Sequence, residues 1–239
     1  MEIEYKNGNR VTLFPHEMTP LEAAIAGFES KAKKYYQKKS LPKPETEEDR
    51  IKREQDLDAA LEHLKSERRK ISIFAQIQSG LEEYQAKGRK QAEEDPLEML
   101  KEKHHPTTVL AQNMRADGRP QPSNRHSPHH IVEGRGKHPR TADTRLNLHL
   151  YGIRINDPDN GVWLPRTKSD KGHWSMPSAP AHSEIHTFNY ESWVSFLIGS
   201  IEDEFMIRAA LLRIRSLLRD GKQPQKVTEK KDVNWRPSP

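Results

Sequence analysis

Apolar side chains recur along this chain with two different periods. Near the start, Glu2–Tyr5 and Val11–Phe14 flank Lys6-Asn7-Gly8-Asn9-Arg10, a spacing that predicts a β-hairpin with an Asn-Gly turn. Thr19-Pro20-Leu21-Glu22 then reads as a capping box with proline at the first helical position. Leu21, Ile25, Phe28, Ala32 and Tyr35 fall on one face of the helix that follows. Leu41-Pro42-Lys43-Pro44 breaks that helix. A second start at Thr46 opens a long charged helix with Leu57, Leu61, Leu64, Ile71, Phe74 and Leu81 near heptad spacing, ended or bent at Gly80 or Gly88. The pattern predicts an amphipathic helical hairpin. It serves either as a docking or dimerisation module or simply packs its apolar face on the rest of the protein.

Asp95-Pro96 through Pro106 marks the expected boundary of this region. Beyond it, proline, glycine and polar residues from Thr107 to Pro128 predict an extended approach with one short helix near Val109–Arg115. His129–Val132 reads as a strand, Gly134-Arg135-Gly136 as a flexible loop, and Thr141–Tyr151 as a helix capped by Gly152, with Leu146, Leu150 and Ile153 available for packing. Asp157–Gly161 is a turn signal and Val162–Leu164 a second strand. A helix is expected from His182 to about Ile198 and another over Glu202–Leu218, while Asp220–Pro239 carries little to bury and is expected to be mobile. The expected organisation is therefore an N-terminal module over 1–105, a second domain over 106–219 and a tail over 220–239, in a mostly helical α+β fold.

Composition narrows the class. Of 239 residues, 33% are hydrophobic and 31% charged, so only part of the chain builds a conventional core. There is no cysteine, which removes disulfides and thiolate metal sites. No run of about 18 apolar residues occurs, and Met1-Glu2-Ile3-Glu4 is not a signal peptide, so a soluble protein without membrane insertion is expected. The net charge of +5 is uneven: residues 1–105 hold 20 basic and 21 acidic side chains, residues 106–239 hold 20 and 14. The positive excess suits a polyanionic partner.

That basic half also holds an ordered set of histidines and one asparagine. His129 and His130 are neighbours on the expected strand and so face opposite ways, and His182 and His186 stand one helical turn apart. Neutral imidazole is a good ligand for borderline transition metals, and its ordinary pKa of about 6.5 lets it accept a proton near neutral pH. Three nitrogen ligands and one free base meet the needs of phosphodiester hydrolysis, with coordination positions left for water and phosphate. Taken singly, His104, His126, His138, His149 and His173 read as surface or packed residues, and the weight rests on the order HH, DNG, HxxxH. Arg125, Arg135, Lys137 and Arg140 flank the histidine pair as candidates for phosphate contacts. Glu133 and Glu184 are too few carboxylates for a second metal.

Over roughly Thr107–Trp193, through PHHI, DNGVWLP and HSEIH, the chain resembles the AHH toxin nucleases, a branch of the His-Asn-His endonucleases that also include the DNase colicins. The resemblance implies a small ββα-metal core, here embellished with helices and preceded by the helical N-terminal region. It implies His129, His182 and His186 as metal ligands, His130 as the general base, and Asn160 as the residue tying the loop to the base-bearing strand. Two departures stand out: Pro128 occupies the alanine position, and a sixteen-residue spacer, Arg166–Ala181, reads as a surface insertion.

The mechanism expected on this basis uses one divalent ion, zinc by ligand type, with Mg2+, Mn2+ or Ni2+ as alternatives. His130 deprotonates water for in-line attack on DNA of little sequence specificity, leaving 5′-phosphate and 3′-hydroxyl ends. An RNase, or a non-catalytic nucleic-acid-binding protein with a structural zinc, is the alternative. The resemblance further implies a bacterial effector, held without a signal peptide in the cytoplasm of its producer and delivered to the cytoplasm of a target cell. It would be paired with an immunity protein and served by a secretion component or chaperone acting on the N-terminal helices.

Overall fold

Ahead of the first helix, strands Tyr5–Lys6 (β1) and Asn9–Arg10 (β2) pair antiparallel, with Tyr5 opposite Arg10; the predicted Asn7-Gly8 turn lies outside the described residues. The computed structural model describes residues 18–238 and the backbone of these two strands; the expected strand residues Glu2–Glu4 and Val11–Phe14 lie outside the described residues. The chain divides into two units, 1–79 and 80–239.

In the first unit, Pro20–Ser40 (α1) begins at a capping box: Thr19 Oγ1 accepts from Glu22 N (3.3 Å) and Glu22 Oε2 from Thr19 N (2.8 Å). The next helix, Glu47–Glu94 (α2), starts where Thr46 Oγ1 accepts from Asp49 N (3.2 Å). Lys38 pairs with Asp56 (2.8 Å) and Lys31 with Glu67, so α1 and the start of α2 run antiparallel. Arg53 donates to the carbonyls of Lys38 (2.7 Å) and Leu41 (2.8 Å), satisfying acceptors that the end of α1 leaves open. Leu21, Tyr35 and Leu64 are buried, while Leu57, Leu61, Ile71 and Phe74 are half-buried.

The helix α2 does not end at Gly80 or Gly88. Gly88 instead permits close approach within the second unit: a Cβ there would meet the Gly152 carbonyl oxygen and the Arg154 side chain. This unit starts well ahead of the expected boundary at Pro106, because Leu81, Tyr84 and Met99 of the segment before it are spent on its packing and hydrogen bonds. Thr108–Ala116 (α3) buries Leu110, Ala111 and Met114. His126–His130 (β3), longer upstream than its apolar residues suggest, leads to Thr141–Leu150 (α4). Gly161–Pro165 (β4) pairs antiparallel with β3, setting His129 opposite Val162 and His130 opposite Gly161. In α4 the packed residues are Leu148 and, just beyond, Ile153, both fully buried; Leu150 is exposed and Leu146 only half-buried, which shifts the inward face from the one expected.

The single helix expected from His182 is two. His182–Ile185 (α5) stops at His186, whose ψ is 64°, and Thr187 caps a new helix, Phe188–Ile198 (α6), by accepting from Tyr190 N (3.0 Å). Glu204–Asp220 (α7) closes the core with Ile207, Leu211, Ile214 and Leu218, capped by Asp203. The spacer Arg166–Ala181 is exposed over most of its first ten residues but then buries Met176, Ala179 and Ala181. Nor is the segment after Asp220 loose. Val227 is fully buried, Thr187 donates to its carbonyl (2.5 Å), and Asn189 Nδ2 donates to the carbonyls of Lys226 (2.9 Å) and Lys230 (3.0 Å). This largely polar segment is ordered by hydrogen bonds from Thr187 and Asn189 together with Val227 in the core and Trp235 packed against it. The fold is mostly helical α+β, and the second unit is built around the two-stranded ribbon β3–β4. Among the described residues no helix is long and apolar enough to cross a membrane.

Candidate active site

The ribbon β3–β4 presents the two adjacent histidines to different neighbours, as alternation along a strand requires. His129 meets His182, His186 and Tyr190, whereas His130 meets Asn156. Pro128, opposite Trp163, is tolerated because a two-stranded ribbon consists of edges. The end of β3 is fixed by Asn160, fully buried at the close of the turn Pro158–Asn160. Its Nδ2 donates to Val132 O (3.1 Å) and Ile155 O (2.9 Å), its Oδ1 accepts from Val132 N (2.7 Å), and its carbonyl accepts from Ile131 N (2.8 Å). Four hydrogen bonds from one residue lock the strand end to the loop.

His129, His182 and His186 each offer a ring nitrogen, all within 4.8 Å of one another, from buried, half-buried and exposed positions respectively. Among the described residues this is the cluster of three groups able to hold a metal ion. The opposite ring nitrogen of each is occupied. Tyr190 Oη donates its proton to Ile131 O (3.0 Å), so at 3.0 Å from His129 Nε2 it must accept there. His129 is thereby the Nε2–H tautomer, and its Nδ1 lone pair is buried with no partner. His186 Nδ1 donates to Glu133 Oε1 (2.7 Å), and His182 Nδ1 hydrogen-bonds the Ser127 hydroxyl (2.7 Å), which frees Nε2 of both rings. A buried unsatisfied nitrogen is costly unless something fills the site. Three imidazoles oriented from outside, with lone pairs converging inside, fit a divalent transition metal. Burial, followed by the neighbouring His182 and His186 rings, holds His129 well below the usual imidazole range, and burial pushes His182 down to about 4. Both are neutral, the form that ligates.

His130 lies on the other side of the strand. Burial lowers its pKa to about 4 against the opposing effect of its hydrogen bond to Asn156. Its Nε2 is 2.9 Å from Asn156 Oδ1. It lines a cavity of about 100 Å³ together with His104, His105, Glu133, Arg135 and the three clustered histidines. Of the four cations named from sequence, Arg135 lines this cavity, and Lys137 donates to the His186 carbonyl (2.6 Å) at its edge. Arg125 and Arg140 are exposed and do not line it. The glycines of Gly134-Arg135-Gly136 serve internal contacts: a Cβ on Gly134 would overlap the His104 ring, and one on Gly136 would overlap Glu191 and Thr141.

The Asp157–Gly161 turn is clamped by arginines. Asp159 pairs with Arg119 (2.6 Å), Arg208 (2.7 Å) and Arg215 (3.2 Å), and Asp157 with Arg208 (3.2 Å). Burial pushes the Asp159 carboxyl up, but hydrogen bonds from Arg119 and Arg208 outweigh it and hold the group below its ordinary value. Burial dominates at Asp157 and raises it. Glu184, near the motif in sequence, accepts from Ala181 N (2.8 Å) and faces Lys171.

Sequence reasoning missed the partners rather than the histidines. Ser127, Glu133 and Tyr190 orient the clustered rings; Asn156 engages His130; His104 and His105 line the cavity from ahead of the expected domain. Ser127 and Tyr190 carried a local signal, one two residues before His129 and the other one turn after His186. Nothing in sequence joined His104 to His130, whose ring centroids lie 6.1 Å apart.

No curated protein and no solved structure matches the chain. Residues 110–227 match the AHH family, described as a nuclease family of the HNH/ENDO VII superfamily with conserved AHH, a span that reaches past the Trp193 limit of the resemblance and takes in the segment packed by α6. The chain, reading Pro128-His129-His130 at the family's signature, thus belongs over these residues to the AHH nucleases.

Proposed function

We propose that this nuclease is a metal-dependent DNA endonuclease, with His129, His182 and His186 holding one divalent ion and His130 acting as general base. The observation that carries the proposal is the buried, partnerless Nδ1 of His129 facing two further imidazoles whose outer nitrogens are already engaged. A bound ion supplies positive charge to the phosphate and leaving oxygen. The chain's own residues do the rest. His130 Nδ1 accepts a proton from water, the hydroxide attacks phosphorus in line, the bond from phosphorus to the 3′ oxygen breaks, and the leaving oxygen takes a proton from solvent. Arg135 at the cavity and Lys137 beside His186 hold the scissile and flanking phosphates. Lys230 and Lys231 border the next hollow, of about 230 Å³, which also includes His186 and Lys137, and extend the cationic surface for a strand. Backbone contacts of this kind carry little sequence information.

A closed structural zinc site takes four protein ligands, and the cluster offers three, which favours the catalytic reading. The biological role we propose, an antibacterial effector with a cognate immunity protein that reaches the cytoplasm of a target cell, is supported by the resemblance of PHHI, DNGVWLP and HSEIH to toxin nucleases. A small adjacent reading frame that rescues cells from the toxin is its test.

The test of the activity is incubation of full-length protein with supercoiled plasmid and with structured RNA, each with added divalent metal and with chelator, beside His130→Ala. We expect metal-dependent plasmid cleavage that falls about 10²- to 10⁴-fold in the variant. Cleavage of RNA alone would change the substrate, and a variant cutting at the parental rate would remove His130 as base.

A further inference from the structure

Asn156 is fully committed on both its side-chain amide and its backbone. It is 1% exposed, its Oδ1 faces His130 Nε2 at 2.9 Å, and its Nδ2 donates to Glu102 Oε1 (2.8 Å) and to Lys103 O (3.1 Å). Its backbone is held as well, N donating to Tyr84 Oη's lone pair (3.1 Å) and the carbonyl accepting from Asn113 Nδ2 (2.8 Å). Two acceptors on the amide nitrogen fix which way the amide points. Flipped, its oxygen would face a carboxylate and a carbonyl. Glu102 is in turn fixed by Tyr84 Oη on one oxygen (2.8 Å) and Arg154 Nε on the other (2.8 Å), with the Arg154 guanidinium 4.5 Å from the Tyr84 ring centroid.

The geometry points to Asn156 as a positioning residue that sets the tautomer of His130, with Glu102 and Tyr84 as its anchors. Because Asn156 Oδ1 can only accept, His130 Nε2 carries the proton and Nδ1 keeps the lone pair. No protein group engages that Nδ1 among the described residues. When Nδ1 takes a proton, the Nε2–H bond to Asn156 persists, and the Glu102 carboxylate stands one hydrogen bond beyond to complement the charge. Tyr84 and Glu102 precede the family-matched span 110–227, so this chain recruits the end of α2 and the segment after it into its catalytic apparatus. The inference rests on His130 being the base.

Its test reads the tautomer directly. In full-length, zinc-loaded protein with labelled histidine, nitrogen chemical shifts and couplings should report His130 as Nε2–H; a dominant Nδ1–H form would overturn the inference without any variant. Asn156→Ala should then give a mixture of tautomers and lower kcat about 10²-fold, with KM and zinc affinity unchanged. Glu102→Gln, which keeps an acceptor oxygen but loses the charge, should lower kcat less than Asn156→Ala. Parental kcat in a folded Asn156→Ala, or an equal rise in KM, would overturn the positioning role. His130→Ala in parallel separates the two claims: if it retains activity the base assignment fails, whereas a dead His130→Ala beside a fully active Asn156→Ala sinks the positioning role alone.

Discussion

Two polar clusters meet at the loop that carries Asn160, and they are built on opposite principles. In the arginine clamp, Asp157 and Asp159 face Arg119, Arg208 and Arg215, so each buried charge has an opposite within 3.2 Å. In the imidazole cluster, three rings converge, no acid reaches the centre, and the His129 Nδ1 is left without a partner. The clamp pairs its charges internally and holds the loop, with Arg215 Nε left buried and without a partner. On the proposed function the imidazole cluster is complete only with a cation, and the difference would separate the part of the second unit that stabilises from the part that reacts.

Removing metal tests the contrast most severely. With chelator, cleavage should fall to background while far-ultraviolet circular dichroism retains the folded spectrum, since the clamp and core need no ion. Unfolding on chelation would instead make the imidazole cluster structural. Within the clamp, Asp159→Ala leaves three arginines short of their shared partner, and chemical denaturation should show a loss of about 3–5 kcal/mol. Asp157→Asn should cost only about 1 kcal/mol, because asparagine replaces the side-chain acceptor for Asp159 N (2.9 Å) and the raised Asp157 pKa already disfavours its charge. Equal losses would mean that the two aspartates share one role.

Acid should weaken the fold through a histidine belonging to neither cluster. His149, fully buried, donates from Nδ1 to Ile153 O (3.0 Å) and accepts at Nε2 from Arg145 Nε (3.2 Å), and burial pushes its pKa down to about 4. A depressed histidine stabilises the fold fully above its unfolded value of about 6.5, and that stability is lost as pH falls toward 4, at most about 3 kcal/mol. Unfolding free energies measured with chelator across this range should show the slope, and His149→Gln should reduce it. The smallest effect on the fold is expected beside the imidazole cluster. Tyr190→Phe removes the acceptor that holds the His129 tautomer, and zinc affinity measured by competition should fall about 10- to 100-fold with little change in fold. An unchanged affinity would mean that packing alone orients the ring.

Much of the fold was legible because its signals are local. The capping box at Thr19, the break at Leu41–Pro44 and the turn at Asp157–Gly161 depend on residues a few positions apart, and each stands where the spacing predicts. The helix from His182 was misread because apolar periodicity runs through His186, while the competing start at Thr187 depends on a single cap. The segment after Asp220 was misread because its order comes from Thr187 and Asn189, about forty residues away.

By itself, the sequence determined which groups are candidates for chemistry here: two pairs of histidines and an asparagine, in an order that resembles the AHH nucleases, on the more basic half of the chain. The tertiary structure alone decided which nitrogen of each ring is free. That depends on Tyr190, Ser127, Glu133 and Asn156, reaching the histidines across 26 to 61 residues of chain. A ring's tautomer is set by the hydrogen bond on its far side, and such a bond exists only once strand, loop and helix have been packed together.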